Sequence, residues 1–295
     1  TTSAELLKNA DQAMYEAKKN GRNRFSFFTP MMQAMAQARM RMMRDLRNAL
    51  GLNQFTVYFQ PIVDLSSQRI HKAEALIRWQ HPELGFISPA EFIPLAEETG
   101  LIHEIGDWVF QQSAQLVKQC IPIVGDNFQV SVNKSPVQFR DRAHSHHDWM
   151  EYLSGLGLSG HNIVVEITEG LLLNADSGIS DKLLHFRDAG MQVAIDDFGT
   201  GYSSLSYLKK FDIDYLKIDQ SFVRNLSGEG EDLALCEAIA TMAHKLDLRV
   251  IAEGVETTAQ RDLLAQIGCD YGQGYLFSRP VPADEFMQLL ERSAA

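Results

Sequence analysis

The chain has 295 residues, of which 45% are hydrophobic and 22% are charged. This is the composition of an ordinary globular protein, and it excludes collagen-like, coiled-coil and intrinsically disordered chains. A formal net charge of −11 gives no general attraction to nucleic acid polymers or anionic membranes, so we expect neither as a partner. Three widely spaced cysteines and no bilayer-spanning apolar run indicate a reducing, cytoplasmic location, although a parent protein anchored through other segments would not be visible here.

The beginning of the chain does not form a domain by itself. Apolar residues at spacings of three and four predict a helix over residues 1–20, and the aromatic stretch Arg24–Phe28 predicts a short strand. One helix and one strand cannot bury a core alone. We therefore expect three parts: the end of a preceding domain over residues 1–28, a helical connector over residues 29–50, and a domain over residues 51–295.

From residue 55 onward, strand patterns alternate with helical patterns. Eight strands within about 240 residues is the number found in a closed (β/α)8 barrel of the TIM type. Turn residues between the first two strands predict a hairpin, and hence one antiparallel strand. An open doubly wound sheet is the alternative, but no GxGxxG loop follows an early strand. The predicted strands are Thr56–Val63, His71–Trp79, Phe128–Asn133, Ile163–Thr168, Gln192–Asp196, Tyr215–Asp219, Arg249–Ala252 and Gly274–Phe277.

Acidic and amide residues lie near the carboxyl ends of these strands, where the chemistry of a barrel is found. Burying four carboxylates together without a cation is not tenable. Oxygen ligands without nearby Cys or His indicate Mg²⁺ or Mn²⁺ rather than Zn²⁺. The alternative, that each acid caps a helix or pairs with an arginine, is hard to sustain for so many strands. The residues concerned are Glu74, Asn133, Glu166, Asp196, Asp197 and Glu253.

Two further features point to the same chemistry. The adjacent pair Asp196 and Asp197 would allow one carboxylate to bridge two ions, as in two-metal phosphoryl transfer. Lys217 is an isolated lysine in an apolar strand, and burying it is costly unless it faces carboxylates, a phosphate or a water molecule. The glycine-bearing loop Asp197–Ser204 either covers a bound phosphate or is an ordinary turn before a helix over Ser203–Lys210.

These motifs together resemble the bacterial EAL-domain cyclic di-GMP phosphodiesterases, over about residues 44–292. Separately, Ala10–Asn23 is similar to the end of a GGDEF diguanylate cyclase domain, whose catalytic motif is absent, so no cyclase activity is expected. The motifs that carry the resemblance are Gln60–Val63, Glu74-Ala75-Leu76, Phe92–Gly100, Ser131-Val132-Asn133, Glu166–Glu169, Asp196–Leu208, Leu216–Asp219, Glu253–Glu256 and Gln273–Pro280.

The resemblance implies hydrolysis of one phosphodiester bond of cyclic di-GMP, giving linear pGpG, with two Mg²⁺ or Mn²⁺ ions per active site. It also implies a homodimer in which the loop Asp197–Ser204 links the interface to the metals. The alternative is a receptor that binds cyclic di-GMP without cleaving it. Such receptors typically lack a metal ligand or the lysine, which this chain retains. A barrel enzyme acting on another phosphodiester is a third hypothesis.

The resemblance also implies a role for each matching position. The first metal is expected on Glu74, Asn133, Glu166 and Asp196, and the second on Asp196 and Asp197. Lys217 is expected to orient the attacking water, and Glu253 to act as the general base or as a water-mediated ligand of the second metal. The expected substrate-binding residues are Arg78, Gln273 and Gln60, and Glu169 is expected to anchor the loop after Asp197.

Overall fold

The structure is a computed structural model that describes residues 2–19, 21, 23–140, 147–173, 177–200, 208 and 211–294. Within these residues one sheet contains ten strands: β1 (Phe55–Asp64), β2 (Ile70–His81), β3 (Gly85–Ile87), β4 (Gln129–Asn133), β5 (Ile163–Thr168), β6 (Gln192–Phe198), β7 (Tyr215–Ile218), β8 (Arg249–Ala252), β9 (Tyr271–Gln273) and β10 (Val281–Pro282).

Eight of the ten strands close into a barrel in the order β1-β2-β4-β5-β6-β7-β8-β9, with β9 pairing again with β1. Strand β1 is antiparallel to both of its barrel neighbours, whereas the other barrel neighbours are parallel to each other. The short strands β3 and β10 extend the sheet outside the barrel. The predicted α/β barrel with one antiparallel strand is confirmed.

The helices lie around the barrel and at the start of the chain. Side-chain caps mark some of the helix starts: Thr29 accepts a hydrogen bond from the Met32 amide, and Thr257 and Gln260 form a capping box. The described helices are α1 (Ser3–Lys19), α2 (Pro30–Ala49), α3 (Pro89–Thr99), α4 (Ile102–Val124), α5 (Pro136–Arg140), α6 (His147–Leu156), α7 (Glu169–Leu173), α8 (Ser177–Asp188), α9 (Gln220–Val223), α10 (Glu231–Lys245), α11 (Thr258–Gln266) and α12 (Ala283–Ala294).

The apolar residues divide between the inside and the outside of the barrel. The outward side chains of the strands pack against the helices in one continuous core, and a smaller cluster of buried residues is separate from it. Strands covered on both faces need apolar residues at consecutive positions, which explains why these segments lack a simple alternating pattern. The smaller cluster consists of Ile62, Val164, Ala194, Tyr215, Ile251 and Tyr271.

Two predicted strands are wrong. The last barrel strand is Tyr271–Gln273 rather than Gly274–Phe277, because the chain turns at Gly274, where a Cβ would overlap the backbone of Val255. The segment Arg24–Phe28 is not a strand, and no strand among the described residues pairs with it. The helix predicted over Ser203–Lys210 lies outside the described residues except for Leu208.

Candidate active site

The parallel strands bring the predicted polar residues to one end of the barrel. Asn133 pairs in register with Glu166, and Thr168 pairs with Asp196. Because these strands run in the same direction, their carboxyl ends lie at the same rim. Glu253 directly follows β8 and thereby joins this end of the barrel. The fold thus assembles side chains that are far apart in the sequence.

Lys217 is the centre of this group. Its Nζ lies 2.7 Å from Glu253 Oε1 and 2.8 Å from Glu166 Oε2. The same atom lies 3.2 Å from Asp196 Oδ1 and 3.4 Å from Glu74 Oε2. Lys217 is fully buried, and Glu166 is 1% exposed. Four carboxylates around one ammonium carry a formal charge of −3, which is far more than the lysine neutralises.

Amide side chains fix the orientation of Glu74. Asn133 Nδ2 donates to Glu74 Oε1 at 2.7 Å, and Gln273 Nε2 donates to Glu74 Oε2 at 2.7 Å. Gln273 Nε2 also lies 3.1 Å from Gln60 Oε1, and Gln60 Nε2 donates to the Ser278 carbonyl. The antiparallel strand β1 therefore contributes Gln60 to the same site, opposite Glu74 in the β1–β2 pairing.

A bulge turns two consecutive aspartates toward the same site. Successive residues of a regular strand point to opposite faces. Between Ile195 and Phe198 the register of β6 against β7 shifts by one residue, and Asp197 has a φ of 56°. A non-glycine residue in the left-handed region is strained, and such strain is found at functional sites. As a result, ligand atoms of Asp196, Asp197 and Glu253 lie within 4.8 Å of one another.

Burial and mutual repulsion shift the ionisation of these carboxyl groups. Burial, together with the charge of Glu74, raises the pKa of Glu166 well above its usual value despite the contact with Lys217. Burial raises the pKa of Glu253 to about 7. Glu74 differs: burial opposes its ionisation, but the Lys217 ammonium and two amide donors together lower its pKa. The cluster therefore needs protons or additional cations to balance its charge.

The donor set fits divalent cations. Glu166 Oε1 is buried and has no hydrogen-bond partner among the described residues, so this lone-pair site is left for another group. Three further carboxylates converge at the mouth of the barrel. Asp197 is exposed, and Asp196 and Glu253 are partly exposed. Carboxylate and amide oxygens without sulfur or imidazole are the ligands that Mg²⁺ and Mn²⁺ prefer.

Two clefts open beside the carboxylates. One has a volume of about 460 Å³ and is lined by Glu74, Asp196 and Glu253 together with Tyr275. The other has a volume of about 310 Å³ and lies between β2, β4 and helices α3 to α5. Arg78 lines this second cleft, so the structure places it beside the carboxylate cluster rather than within it. Leu76 borders both clefts.

Glu169 lies next to the cluster without touching Lys217. Its carboxylate accepts a hydrogen bond of 3.3 Å from the Gly199 amide, two residues after Asp197. This contact joins the start of α7 to the end of β6. Residues 201–207 lie outside the described residues, so most of the loop Asp197–Ser204 and its predicted role at an interface stay untested.

Several residues that line the two clefts are not predicted as site residues from the sequence. Tyr275 is 52% exposed, and the Arg279 guanidinium lies 4.2 Å from its ring centroid. It lies two residues after the last barrel strand, within the segment Gly274–Phe277 that the sequence predicts as that strand. The remaining residues come from helices or the loops beside them, and two of them, Glu97 and Glu256, lie in the motifs Phe92–Gly100 and Glu253–Glu256 without a role assigned to them. They are Gln220, Arg224 and Glu256 in the larger cleft and Glu97 and Gln138 in the smaller one.

Comparison with known proteins supports this description. A family model described as the EAL domain matches residues 43–280. The chain is 39% identical over 291 residues to the bifunctional diguanylate cyclase/cyclic di-GMP phosphodiesterase MucR of Pseudomonas aeruginosa, covering 97% of this chain and 42% of that protein. It is 38% identical to the cyclic di-GMP phosphodiesterase NbdA of the same species, covering 99% of this chain and 37% of NbdA. The chain thus spans about two fifths of these relatives.

Solved structures agree in fold. The MucR phosphodiesterase in complex with cyclic di-GMP has a TM-score of 0.75 and 36% identity, covering 83% of this chain and 99% of that chain. The manganese and cyclic di-GMP complex of BlrP1 from Klebsiella pneumoniae has a TM-score of 0.67 and 30% identity, covering 78% of this chain and 57% of that one. The barrel, its acidic rim and these matches together show that this chain belongs to the EAL domain family.

Proposed function

We propose that this protein hydrolyses one phosphodiester bond of cyclic di-GMP and releases linear pGpG, using two Mg²⁺ or Mn²⁺ ions. The observation that carries the proposal is the group of four carboxylates around the buried Lys217, at the base of an open cleft. Such a concentration of negative charge calls for protons or cations, and cations at that position would face any phosphate bound in the cleft. The names of MucR and NbdA are consistent with this activity.

The residues divide into two ligand groups. Glu74, Asn133, Glu166 and Asp196 would hold the first ion, and Asp196 and Asp197 would hold the second, with Glu253 beside them. Bound there, two divalent cations would neutralise the phosphate oxygens and lower the pKa of water. The ammonium of Lys217 holds the carboxylates together and offsets charge that develops on oxygen during the reaction.

The reaction itself is an in-line displacement. A water oxygen forms a bond to phosphorus while the bond from phosphorus to the 3′ oxygen breaks, and the product carries a 5′ phosphate. Glu253 has a carboxylate oxygen within 4.8 Å of those of Asp196 and Asp197, and it would take the proton of the attacking water. The 3′ oxygen leaves with a proton from solvent.

The two clefts suit the two halves of a cyclic dinucleotide. They meet at Leu76, so a ligand that spans the carboxylates extends into both. In the larger cleft the exposed ring of Tyr275 offers a stacking surface for a base, and the Glu256 carboxylate can accept from the N–H groups of guanine. In the smaller cleft Arg78 supplies the positive charge for a phosphate in an otherwise acidic protein.

Anion-exchange chromatography tests this function. The purified protein is incubated with cyclic di-GMP and MnCl₂, with and without excess chelator, and the nucleotides are separated. We expect pGpG to form only without chelator. Cyclic di-GMP that stays intact but co-elutes with the protein on a desalting column would identify a receptor instead. Cleavage of cyclic di-AMP at an equal rate would contradict the guanine assignment.

One further expectation stays a prediction. The homodimer implied by the family resemblance can be measured by light scattering coupled to size-exclusion chromatography. Among the helices that the structure describes, none is long and apolar enough to cross a membrane.

A further inference from the structure

The turn that follows Asn133 is held by one hydrogen-bond network. Ser135 Oγ donates to Glu97 Oε1 at 2.6 Å and accepts from the Val137 amide at 3.1 Å. The Ser135 amide donates to Gln138 Oε1 at 3.0 Å. The hydroxyl and the amide of Ser135 are thus both engaged within this turn. Ser135, two residues after the metal-ligand candidate Asn133, is therefore held by helix α3 and by helix α5.

Helix α3 carries two consecutive glutamates that face different neighbours. Glu97 is partly buried, lines the smaller cleft and bonds to Ser135. Glu98 is exposed and pairs with Arg39 on α2, away from the cleft. The bond from Ser135 to Glu97 is partly buried, whereas the pair of Glu98 with Arg39 is exposed, and exposed ion pairs contribute little to stability. Glu98 therefore serves as a natural internal control for Glu97.

The geometry of Asn133 depends on this turn. Its Nδ2 donates to Glu74 Oε1, which leaves Oδ1 as the only side-chain oxygen for a cation. Asn133 is the last residue of β4, and one more backbone hydrogen bond, from the Lys134 amide to the Glu166 carbonyl at 2.9 Å, follows it before the turn at Ser135. Gly106 of α4 permits the close packing, because a Cβ there would overlap the Gln138 amide that holds Ser135.

We infer that Glu97 is a positioning residue of the metal centre: through Ser135 it holds the turn that carries Asn133, and so raises the affinity for divalent cations. The inference rests on the metal ligands of the proposed function. Residues that orient ligands from behind typically contribute about 10- to 100-fold to metal affinity. Because one hydrogen bond acts here through a second residue, we expect the lower end of that range.

Mn²⁺ binding by the substrate-free protein tests the inference without relying on activity. Room-temperature electron paramagnetic resonance reports free Mn²⁺, and titration gives the dissociation constant. The variants are Glu97→Ala, Glu97→Gln, Ser135→Ala, the double variant Glu97→Ala with Ser135→Ala, and Glu98→Ala as the matched control. Thermal unfolding followed by circular dichroism is measured for each without metal.

We expect Glu97→Ala and Ser135→Ala to weaken Mn²⁺ binding about tenfold, and the double variant to be no weaker than either. Glu97→Gln keeps an acceptor for the Ser135 hydroxyl and should retain most of the affinity, while Glu98→Ala should match the wild type.

Unchanged Mn²⁺ affinity in Glu97→Ala would overturn the inference, whatever its effect on the melting temperature. Equal weakening in Glu98→Ala, or a wild type that binds no Mn²⁺, would overturn it too. A protein that binds Mn²⁺ as expected but leaves cyclic di-GMP uncut contradicts only the proposed function.

Discussion

The two ends of the barrel each bury a lysine, but in opposite surroundings. At the carboxyl end, Lys217 contacts four carboxylates, and those contacts raise its pKa well above the usual value although burial opposes ionisation. At the amino end, Lys72 donates to two neutral groups, the Gln129 amide oxygen and the Tyr215 hydroxyl. Burial there lowers the pKa of Lys72 to about 7.

The two ends also differ in how completely their polar groups are paired. At the amino end, Gln129 Nε2 donates to Gln192 Oε1 and to the His161 carbonyl, and Tyr215 OH bonds to the same glutamine pair. At the carboxyl end, Glu166 Oε1 and Gln273 Oε1 are buried without a partner among the described residues. A closed network stabilises the fold, whereas unpaired oxygens beside excess negative charge indicate where cations are needed.

Removing the charge of Lys217 should have the largest effect. Lys217→Met leaves four carboxylates, of which Glu74 and Glu166 are buried, without their common cation, and breaking a buried pair costs about 3–5 kcal/mol. We expect the free energy of unfolding in urea to fall by that amount without metal and to recover partly in Mn²⁺. If Lys217→Met were as stable as the wild type in chelator, Lys217 would not be the cation that stabilises the carboxyl-end carboxylates.

The second largest effect is expected from loss of Asp196, the carboxylate that we propose as a ligand of both ions. Asp196→Ala removes a carboxylate that contacts Lys217 and faces Asp197. We expect hydrolysis of cyclic di-GMP to fall at least about 100-fold, the effect typical of losing a group that stabilises the charged transition state. Asp262→Ala, an exposed aspartate that pairs with Arg261, is the control. Residual activity above one tenth in Asp196→Ala would contradict the ligand assignment.

The amino-end lysine should affect stability alone. Below about pH 7 Lys72 is charged in both states, and the folded state bears the cost of burying that charge. Above pH 7 the folded protein releases the proton while the unfolded chain keeps it, so the cost decreases as the pH rises. The free energy of unfolding should therefore rise between about pH 7 and pH 9, by about 2 kcal/mol from this group. Lys72→Met should remove that part of the rise and leave kcat unchanged. Equal pH dependence in both proteins would show that Lys72 is not the titrating group.

The smallest effect is expected from the proposed stacking surface. Tyr275→Ala removes an exposed ring from the larger cleft, and base stacking contributes about 1–3 kcal/mol per base. We expect KM for cyclic di-GMP to rise about tenfold with little change in kcat. Tyr275→Phe keeps the ring and should behave as the wild type. A fall in kcat with unchanged KM would place Tyr275 in another role.

The sequence predicts much of the carboxyl end because parallel strands make a simple rule. Glu74, Glu166 and Lys217 lie in apolar strands, and their burial is too costly unless they meet. Predicting this cluster requires only the positions of the strands. Seven of the eight predicted barrel strands are correct to within a few residues. The hairpin between the first two strands was readable from its turn residues.

Other parts of the site depend on contacts that no periodic pattern encodes. The bulge at Asp197 is a one-residue shift of register, and it converts two neighbouring aspartates from opposite faces to one site. Glu97 reaches the turn after Asn133 from a helix whose packing is set by the whole barrel. The last strand was misplaced because close contact between Gly274 and Val255, rather than local preference, ends it.

We propose that divalent cations bind at the carboxyl end of the barrel and not beside Lys72 at the amino end. Anomalous scattering at the manganese edge, from crystals grown with MnCl₂, can locate them. We expect two peaks, one bonded to Glu166 and both bonded to Asp196, with none beside Lys72. The absence of any peak among these carboxylates at saturating Mn²⁺ would show that the proposed metal site is wrong.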